Sequence, residues 1–129
     1  VLQTDYFNQN QVALIKAVAS YIAEDLTEHH TIEQLSHEFE ISTAALKKCF
    51  RGVYGTSVYS YLRTYRVQVA KKLLLETELS VTEIASKIGY ENPNKFTSAF
   101  KETYGSSPTE FRKSVRLDRS GSVWSGEEI

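Results

Sequence analysis

Residues 57–77, SVYSYLRTYRVQVAKKLLLET, decide the fold. Apolar side chains recur in this stretch at helical spacing, and neither glycine nor proline interrupts it. The positions that predict one buried stripe are Val58, Tyr61, Leu62, Tyr65, Val69, Ala70, Leu73 and Leu74. The pattern predicts a single unbroken helix, the linker helix, which at ~1.5 Å per residue is roughly 30 Å long.

Similar sequence lies on both sides of the linker helix. Leu35 matches Ile84, and Ile41 matches Tyr90, at an offset of 49 residues. At an offset of 50 the matching pairs are Leu46/Phe96, Phe50/Phe100, Tyr54/Tyr104, Gly55/Gly105 and Tyr61/Phe111. We expect the one-residue change to fall in a turn between two helices, where an insertion does least harm.

Three further helices are predicted on each side of the linker helix. Apolar spacing and caps place them at about 12–26, 31–39 and 42–54 before it, and at about 80–88, 92–104 and 107–114 after it. The capping boxes are Thr31–Gln34, Ser80–Glu83 and Ser107–Glu110. Gly55 and Gly105 are expected in the left-handed conformation that closes a helix. No stretch shows sustained strand alternation, so the predicted fold class is all-α.

Paired helices joined by a turn of about four residues, the second of them amphipathic, are typical of a helix-turn-helix. The predicted parts are a lead-in at 1–10, a first helix-turn-helix subdomain at 11–56, the linker helix at 57–77, a second subdomain at 78–115 and a tail at 116–129. The tail is rich in serine and glycine and aperiodic. Because the sequence begins at Val1 rather than at methionine, we expect it to be part of a longer protein.

Charge is distributed unevenly, although the net charge is only −1. Residues 1–40 sum to −6, residues 41–75 carry seven bases and no acid, and residues 76–129 sum to −2. Exposed helices normally mix both signs, so this acid-free stretch predicts a surface that faces a polyanion. The length of the linker helix is also close to the ~34 Å of one turn of a DNA duplex.

Two matching helix faces are candidates for reading base edges. The polar face of the predicted helix at 42–54 holds Ala44, Lys47, Lys48 and Arg51, and the equivalent face at 92–104 holds Asn94, Thr97, Ser98 and Lys101, bordered by Lys95. Lysine suits guanine, asparagine suits adenine, and serine and threonine suit several bases. The caps Ser42 and Asn92 are expected to leave helix N–H groups for phosphates. The other predicted phosphate ligands are Arg51, Arg63, Arg66, Lys71, Lys72 and Lys101.

Other kinds of site have weaker support. His29, His30 and His37 lack the ordered cysteine and histidine spacing of a metal site, so we expect no metal. Cys49, the only cysteine, excludes an intrachain disulfide, favours a reducing compartment and falls in an apolar row typical of a core. There is no glycine-rich phosphate loop, no paired carboxylates and no nucleophile with a base, so neither an enzyme nor a cofactor is expected.

From about Leu14 to Ser114 the sequence strongly resembles the DNA-binding domain of the AraC/XylS family of bacterial transcription regulators. The most specific motifs are Ile84-Ala85, Gly89-Tyr90, Phe96, Phe100-Lys101, Tyr104-Gly105-Ser106-Ser107-Pro108 and Phe111-Arg112. The resemblance implies about seven helices, with two helix-turn-helix units joined by a long helix and two recognition helices in successive major-groove segments. It implies base-reading positions at Ala44, Lys47 and Lys48 in the first unit, and at Pro93, Asn94, Lys95, Thr97 and Ser98 in the second.

The resemblance also implies partners and a location. These are double-stranded operator DNA, RNA polymerase as the partner of an activator, an N-terminal effector-sensing or dimerisation domain outside this sequence, and the cytoplasm. The alternative is a helical protein-interaction module whose basic face, at residues 41–75, docks an acidic partner. Retention on heparin without a mobility shift on duplex DNA would favour that alternative.

Overall fold

Seven helices make up most of residues 8–117, the part of the chain that this computed structural model describes. They are α1 (Gln9–Glu24), α2 (Ile32–Glu38), α3 (Thr43–Tyr54), α4 (Val58–Glu76), α5 (Val81–Lys87), α6 (Pro93–Tyr104) and α7 (Pro108–Leu117). Residues 8–117 contain no strand, and the predicted all-α class is confirmed. The greater part of the predicted lead-in (1–7) and of the predicted tail (118–129) lies outside the described residues. None of the described helices is both long enough and apolar enough to cross a bilayer.

The first and last helices differ from their predicted bounds, since α1 begins and ends two to three residues earlier than predicted and α7 ends three residues later. Asn8 caps α1 in a capping box with Gln11, so the helix begins before the first residue of the apolar pattern, Val12. At the other end α7 continues to Leu117 instead of ending near Ser114. Apolar periodicity marks the buried part of a helix, and both extensions are polar or exposed turns that this signal does not detect.

The chain divides into two compact units, residues 1–65 and residues 66–129. The core of the first unit is formed by Ile15, Val18, Ala19, Ile22, Leu35, Leu46, Cys49, Phe50 and Val58. Cys49 is 4% exposed, as expected for a small core residue. The position of α3 is set by this core, because its inner face is buried there.

The second unit buries an equivalent set of side chains. These are Val67, Ala70, Leu74, Ile84, Ala85, Ile88, Phe96, Ala99, Phe100 and Pro108. The Phe100 ring lies 5.5 Å from that of Phe111 and 6.0 Å from that of Phe96. Aromatic side chains of α6 and α7 therefore fix the inner face of α6.

The linker helix is the unbroken α4, but its predicted single stripe is wrong in detail. Val67 is fully buried and Arg66 is only 7% exposed, although neither belongs to the predicted stripe. Val69 and Leu73, which do belong to it, are half-buried. The boundary between the two units falls inside α4, between residues 65 and 66, so two cores rather than one determine which of its positions are buried.

Arg112 attaches α7 to the end of α4 within the second unit. Its guanidinium donates to three backbone carbonyls, those of Leu74 at 3.1 Å, Thr77 at 3.1 Å and Leu79 at 2.6 Å. The last carbonyls of a helix have no partner inside the helix, so a buried end needs donors from elsewhere. Arg112 supplies such a donor to Leu74 in the last turn of α4, and it supplies two more to the segment that follows the helix.

Candidate nucleic-acid interface

The two helix-turn-helix turns repeat the same hydrogen bond. The N–H of Ile41 donates to the carbonyl of Ser36 at 3.0 Å, and the N–H of Tyr90 donates to that of Ala85 at 2.8 Å. The turn between α2 and α3 has four residues, and that between α5 and α6 has five. The extra residue is Glu91, between Tyr90 and the cap of α6, which is where the change of offset from 49 to 50 was expected.

The first candidate face lies on α3. Ser42 caps this helix by accepting a hydrogen bond from the N–H of Ala45 at 3.1 Å, and Gly55 closes it at φ 76°. All four side chains of the predicted polar face are exposed: Ala44, Lys47, Lys48 and Arg51. Three of the four are cations, on one helical stripe opposite the buried face.

The second candidate face lies on α6 and is mostly neutral. Asn92 caps this helix, Pro93 occupies its first position and Gly105 closes it at φ 86°. Of the predicted residues, Asn94, Lys95, Ser98 and Lys101 are exposed, while Thr97 and Pro93 are half-buried. Within each unit, the predicted base-reading side chains therefore lie on one helix, and all are exposed except the half-buried Pro93 and Thr97.

The two helix N-termini differ, and the expectation that both would offer N–H groups to phosphates is wrong for α6. Pro93 has no N–H, and the N–H groups of Asn94 and Lys95 both donate to Asn92, at 2.9 and 3.0 Å. At α3, the N–H groups of Thr43 and Ala44 donate to no other group within residues 8–117. Of the two recognition helices, α3 therefore has first-turn N–H groups available to an anion, whereas α6 offers an anion its helix dipole without those donors.

The predicted phosphate ligands of α4 also fall into different classes. Lys72 is exposed, and Arg63 and Lys71 are half-buried. Arg66 is buried, and its Cζ lies 5.9 Å from the centroid of the Tyr90 ring, while its role as a phosphate ligand stays a prediction. The Nζ of Lys71 lies 5.1 Å from the centroid of the Tyr104 ring. The sequence pattern contained no signal that α4 cations would contact either ring.

The three histidines lie near the junction of α1 and α2. His30 packs on the ring of Tyr21, with 5.0 Å between ring centroids, and His29 and His37 are exposed. Within residues 8–117 no group of three or more histidine, cysteine or acidic side chains is arranged to hold a metal ion.

Comparison with known proteins gives consistent matches. Residues 35–114 match the family model of a helix-turn-helix domain. The HTH-type transcriptional activator RhaR of Enterobacter sp. is 33% identical over 106 residues, which cover 82% of this chain and 38% of RhaR. The chain spans roughly a third of the length of such curated relatives, 34% in the case of the regulator YdiP of Escherichia coli.

Two solved structures match this chain over most of their own length. The C-terminal domain of the response regulator yesN from Fusobacterium nucleatum is 34% identical, with a TM-score of 0.70 over 75% of this chain and 95% of that one. The DNA-binding domain of AdpA, solved in complex with a target DNA, has a TM-score of 0.78 at 29% identity, over 83% of this chain and 96% of that one. This chain therefore belongs to the AraC/XylS family of helix-turn-helix transcription regulators, and it carries the DNA-binding domain of that family.

Proposed function

We propose that this chain binds double-stranded DNA in a sequence-specific manner, with α3 and α6 as recognition helices in successive major-groove segments. The observation that carries the proposal is the repeat of one exposed polar face at equivalent positions of α3 and α6. The similarity to the AdpA domain, which was solved with a target DNA, supports it. A protein-interaction module has no comparable support.

The two recognition faces are proposed to contribute different kinds of DNA contact. The α3 face carries three cations and an N-terminus with available backbone donors, a combination suited to phosphate attraction and guanine contacts. The α6 face presents an asparagine, a threonine and a serine, which suit hydrogen bonds to base edges. Its phosphate contacts would come from Lys95 and Lys101, since the first backbone N–H groups of α6 are already bonded.

Selection of binding sites from random duplex DNA tests the proposal directly. We expect an enriched site with two preferred blocks about one helical turn (~10 bp) apart, since each recognition helix would read one major-groove segment. The selected duplex should then shift in a mobility assay at concentrations that leave a scrambled duplex unshifted. Retention on heparin without enrichment of any duplex sequence would overturn the proposal in favour of an acidic protein partner.

We further propose that the full-length protein is a transcription activator of the bacterial cytoplasm, where operator DNA and RNA polymerase are found. An effector-sensing or dimerisation domain elsewhere in the full-length protein would control it. The relatives are named as transcription regulators or activators, which supports a regulatory role. Transcription in vitro from a promoter with the selected site should rise when the protein is added, and a fall would identify a repressor.

A further inference from the structure

Two cations of α4 face aromatic rings at the two ends of α6. Arg66 lies over the Tyr90 ring, with 5.9 Å between its Cζ and the ring centroid. Lys71 lies over the Tyr104 ring, with 5.1 Å between its Nζ and the centroid. Both distances are within the ~6 Å at which a cation is attracted to the face of an aromatic ring.

The Tyr90 ring is connected to the beginning of α6. Tyr90 lies in the turn that precedes this helix, and its N–H is bonded to the carbonyl of Ala85. Its ring lies 5.8 Å from the ring of Phe96, which is fully buried in the first half of α6. A displacement of Tyr90 would therefore be transmitted to the turn of the helix that carries Asn94 and Lys95.

The Tyr104 ring is connected to the other end of α6. Tyr104 is the last residue of this helix, and its ring lies 4.8 Å from that of the buried Phe100. Burial raises the pKa of Tyr104 above its ordinary value, so the ring stays neutral at physiological pH. A neutral phenol ring presents its negative face to the ammonium of Lys71.

Arg66 and Lys71 differ from their neighbour Lys72 in how far their side chains are buried. Lys72 is exposed, whereas Arg66 is 7% exposed and Lys71 is half-buried beside an aromatic ring. A cation held over a ring face inside the unit has given up much of the freedom with which a surface lysine reaches a phosphate. The basic residues of α4 thus include cations packed against aromatic rings (Arg66 and Lys71) and an exposed cation (Lys72).

We infer that Arg66 and Lys71 are positioning residues for base selection, which hold the two ends of α6 through Tyr90 and Tyr104 instead of contacting DNA phosphates. The inference rests on the proposed function, because base selection requires that α6 read a duplex. It assigns to α4 a role in orienting the second recognition helix within its own unit.

The test compares Lys71→Met with Lys72→Met, two neighbouring substitutions that remove the same charge. Binding is measured on the selected and on a scrambled duplex at several salt concentrations. Lys71→Met should leave the salt slope unchanged and lower the ratio of specific to scrambled affinity about tenfold. Lys72→Met should reduce the magnitude of the slope by about 0.9, the value for one phosphate contact, with the ratio preserved. Lys71→Arg, which keeps a cation over the ring, should restore the ratio.

A second readout uses the protein without DNA. The backbone amide NMR shifts of Asn94 to Ser98 should change in Lys71→Met and in Arg66→Met but not in Lys72→Met. Simple destabilisation lowers the active fraction equally for both duplexes, so it leaves the affinity ratio unchanged. Lys71→Met alone carries the test if Arg66→Met does not fold.

Two results would overturn the inference. One is a Lys71→Met variant that matches Lys72→Met, with a smaller slope and an unchanged ratio, since Lys71 would then be a phosphate ligand. The other is an unchanged set of α6 amide shifts in Lys71→Met. If the unsubstituted protein binds no duplex, the proposed function fails together with the role in base selection, and the amide shifts still report whether Lys71 positions α6.

Discussion

Glu40 and Gly89 occupy equivalent positions in the two helix-turn-helix turns, and both have a positive φ, 54° for Glu40 and 96° for Gly89. Glycine adopts this left-handed region without strain, whereas a residue with a Cβ does not. Each follows the C-cap residue of the first helix of its helix-turn-helix, which is Phe39 after α2 and Ile88 after α5. The same backbone bend is therefore made by a suitable residue in one unit and by a strained one in the other.

Replacing Glu40 with glycine should stabilise the protein. The left-handed conformation costs a residue with a side chain about 1–2 kcal/mol, and part of this is offset by the greater freedom of glycine in the unfolded chain, so we expect a gain of roughly 1 kcal/mol in urea melts. Glu40→Gln is the matched control, because it removes the charge and keeps the Cβ. Equal melting curves for the two variants would mean that charge and not backbone conformation limits this turn. Gly89→Ala should destabilise the protein, because it places a Cβ on a residue with positive φ.

Arg112 should be the most important arginine of α7 for stability. Arg112→Met leaves three carbonyls without their donor, that of Leu74 in the last turn of α4 and those of Thr77 and Leu79 after it. Hydrogen bonds to a charged group contribute about 1.5–3 kcal/mol, so we expect a loss of about 3 kcal/mol. Arg116→Met, on the same helix, removes an exposed ion pair with Glu78 and should cost less than about 1 kcal/mol. Arg112→Lys should not restore stability, because an ammonium lacks the planar fork that reaches three oxygens. Similar losses for Arg112→Met and Arg116→Met would contradict this.

The second unit should be the more acid-sensitive one. Its capping boxes use Glu83 and Glu110, and the hydrogen bonds from the backbone N–H of Ser80 and Ser107 hold the pKa of each carboxyl below its ordinary value of 4.5. A lowered pKa in the folded state contributes stability above about pH 4.5 that is lost as the pH falls through the folded value. In the unsubstituted protein the urea midpoint of unfolding should fall as the pH drops below 4.5. We expect this fall to be smaller in the double variant Glu83→Gln/Glu110→Gln.

The first unit supplies the control for this prediction. Its capping boxes use Gln11 and Gln34, which do not titrate. Gln34→Glu should make the stability contributed by the α2 cap depend on pH, so that stability is lost in acid. If Gln34→Glu and the double glutamine variant both leave the pH dependence of the midpoint unchanged, the boxes do not contribute to acid stability.

Leu74 and Leu73 are neighbours on α4, but substituting them with alanine should cost different amounts of stability. Leu74 is 2% exposed, so Leu74→Ala should cost about 2–5 kcal/mol, the usual range for emptying a buried leucine site. Leu73 is half-buried, and Leu73→Ala should cost about 1–2 kcal/mol, because part of its side chain is already in water. Denaturant melts of the two variants measure the difference, and a larger loss at Leu73 would show that the buried face of α4 is misassigned.

The proposed division between the two recognition faces predicts different binding defects. Lys48→Ala should weaken binding to every duplex and reduce the magnitude of the salt slope by about 1, if Lys48 holds one phosphate. Asn94→Ala should cost about 1–3 kcal/mol on the selected site, relax the preference at one base pair and leave the slope unchanged. Titrations at several salt concentrations separate the two. If Lys48→Ala spares scrambled DNA while Asn94→Ala weakens both duplexes equally, the assignment is reversed.

Local sequence signals predicted most of the fold. Caps such as Ser42 and Asn92 act on N–H groups two or three residues away, and helix periodicity repeats within a few turns, so a short window contains the whole cause. The repeat at 49 and 50 residues also placed the one-residue change in a turn between two helices, and the structure assigns it to Glu91. The exposed faces of α3 and α6 followed from the same periodicity, since they are the positions opposite a buried row.

The long basic side chains were predicted least well. Arg112 donates to a carbonyl 38 positions earlier in the chain, and Arg66 packs on a ring 24 positions later. Arginine has an aliphatic stem that can be buried and a head group with five donors, so the same letter is compatible with a surface phosphate ligand and with an interior hydrogen-bonding role. Only the tertiary structure distinguishes the two, which is why the burial of Arg66 does not follow from the sequence alone.

The position of the unit boundary within α4 bears on how the chain folds. Eight residues of α4, Val58–Tyr65, lie in the first unit and eleven, Arg66–Glu76, in the second. Neither length reaches the ~12–15 residues that an isolated helix needs in water, because the first turn of a helix is costly to form and later turns are not. Whichever unit folds first therefore gives the other a helix that is already nucleated at residue 65 or 66, so that only elongation remains. Because α4 is one continuous helix shared by the two units, we expect the folding of one unit to speed the folding of the other.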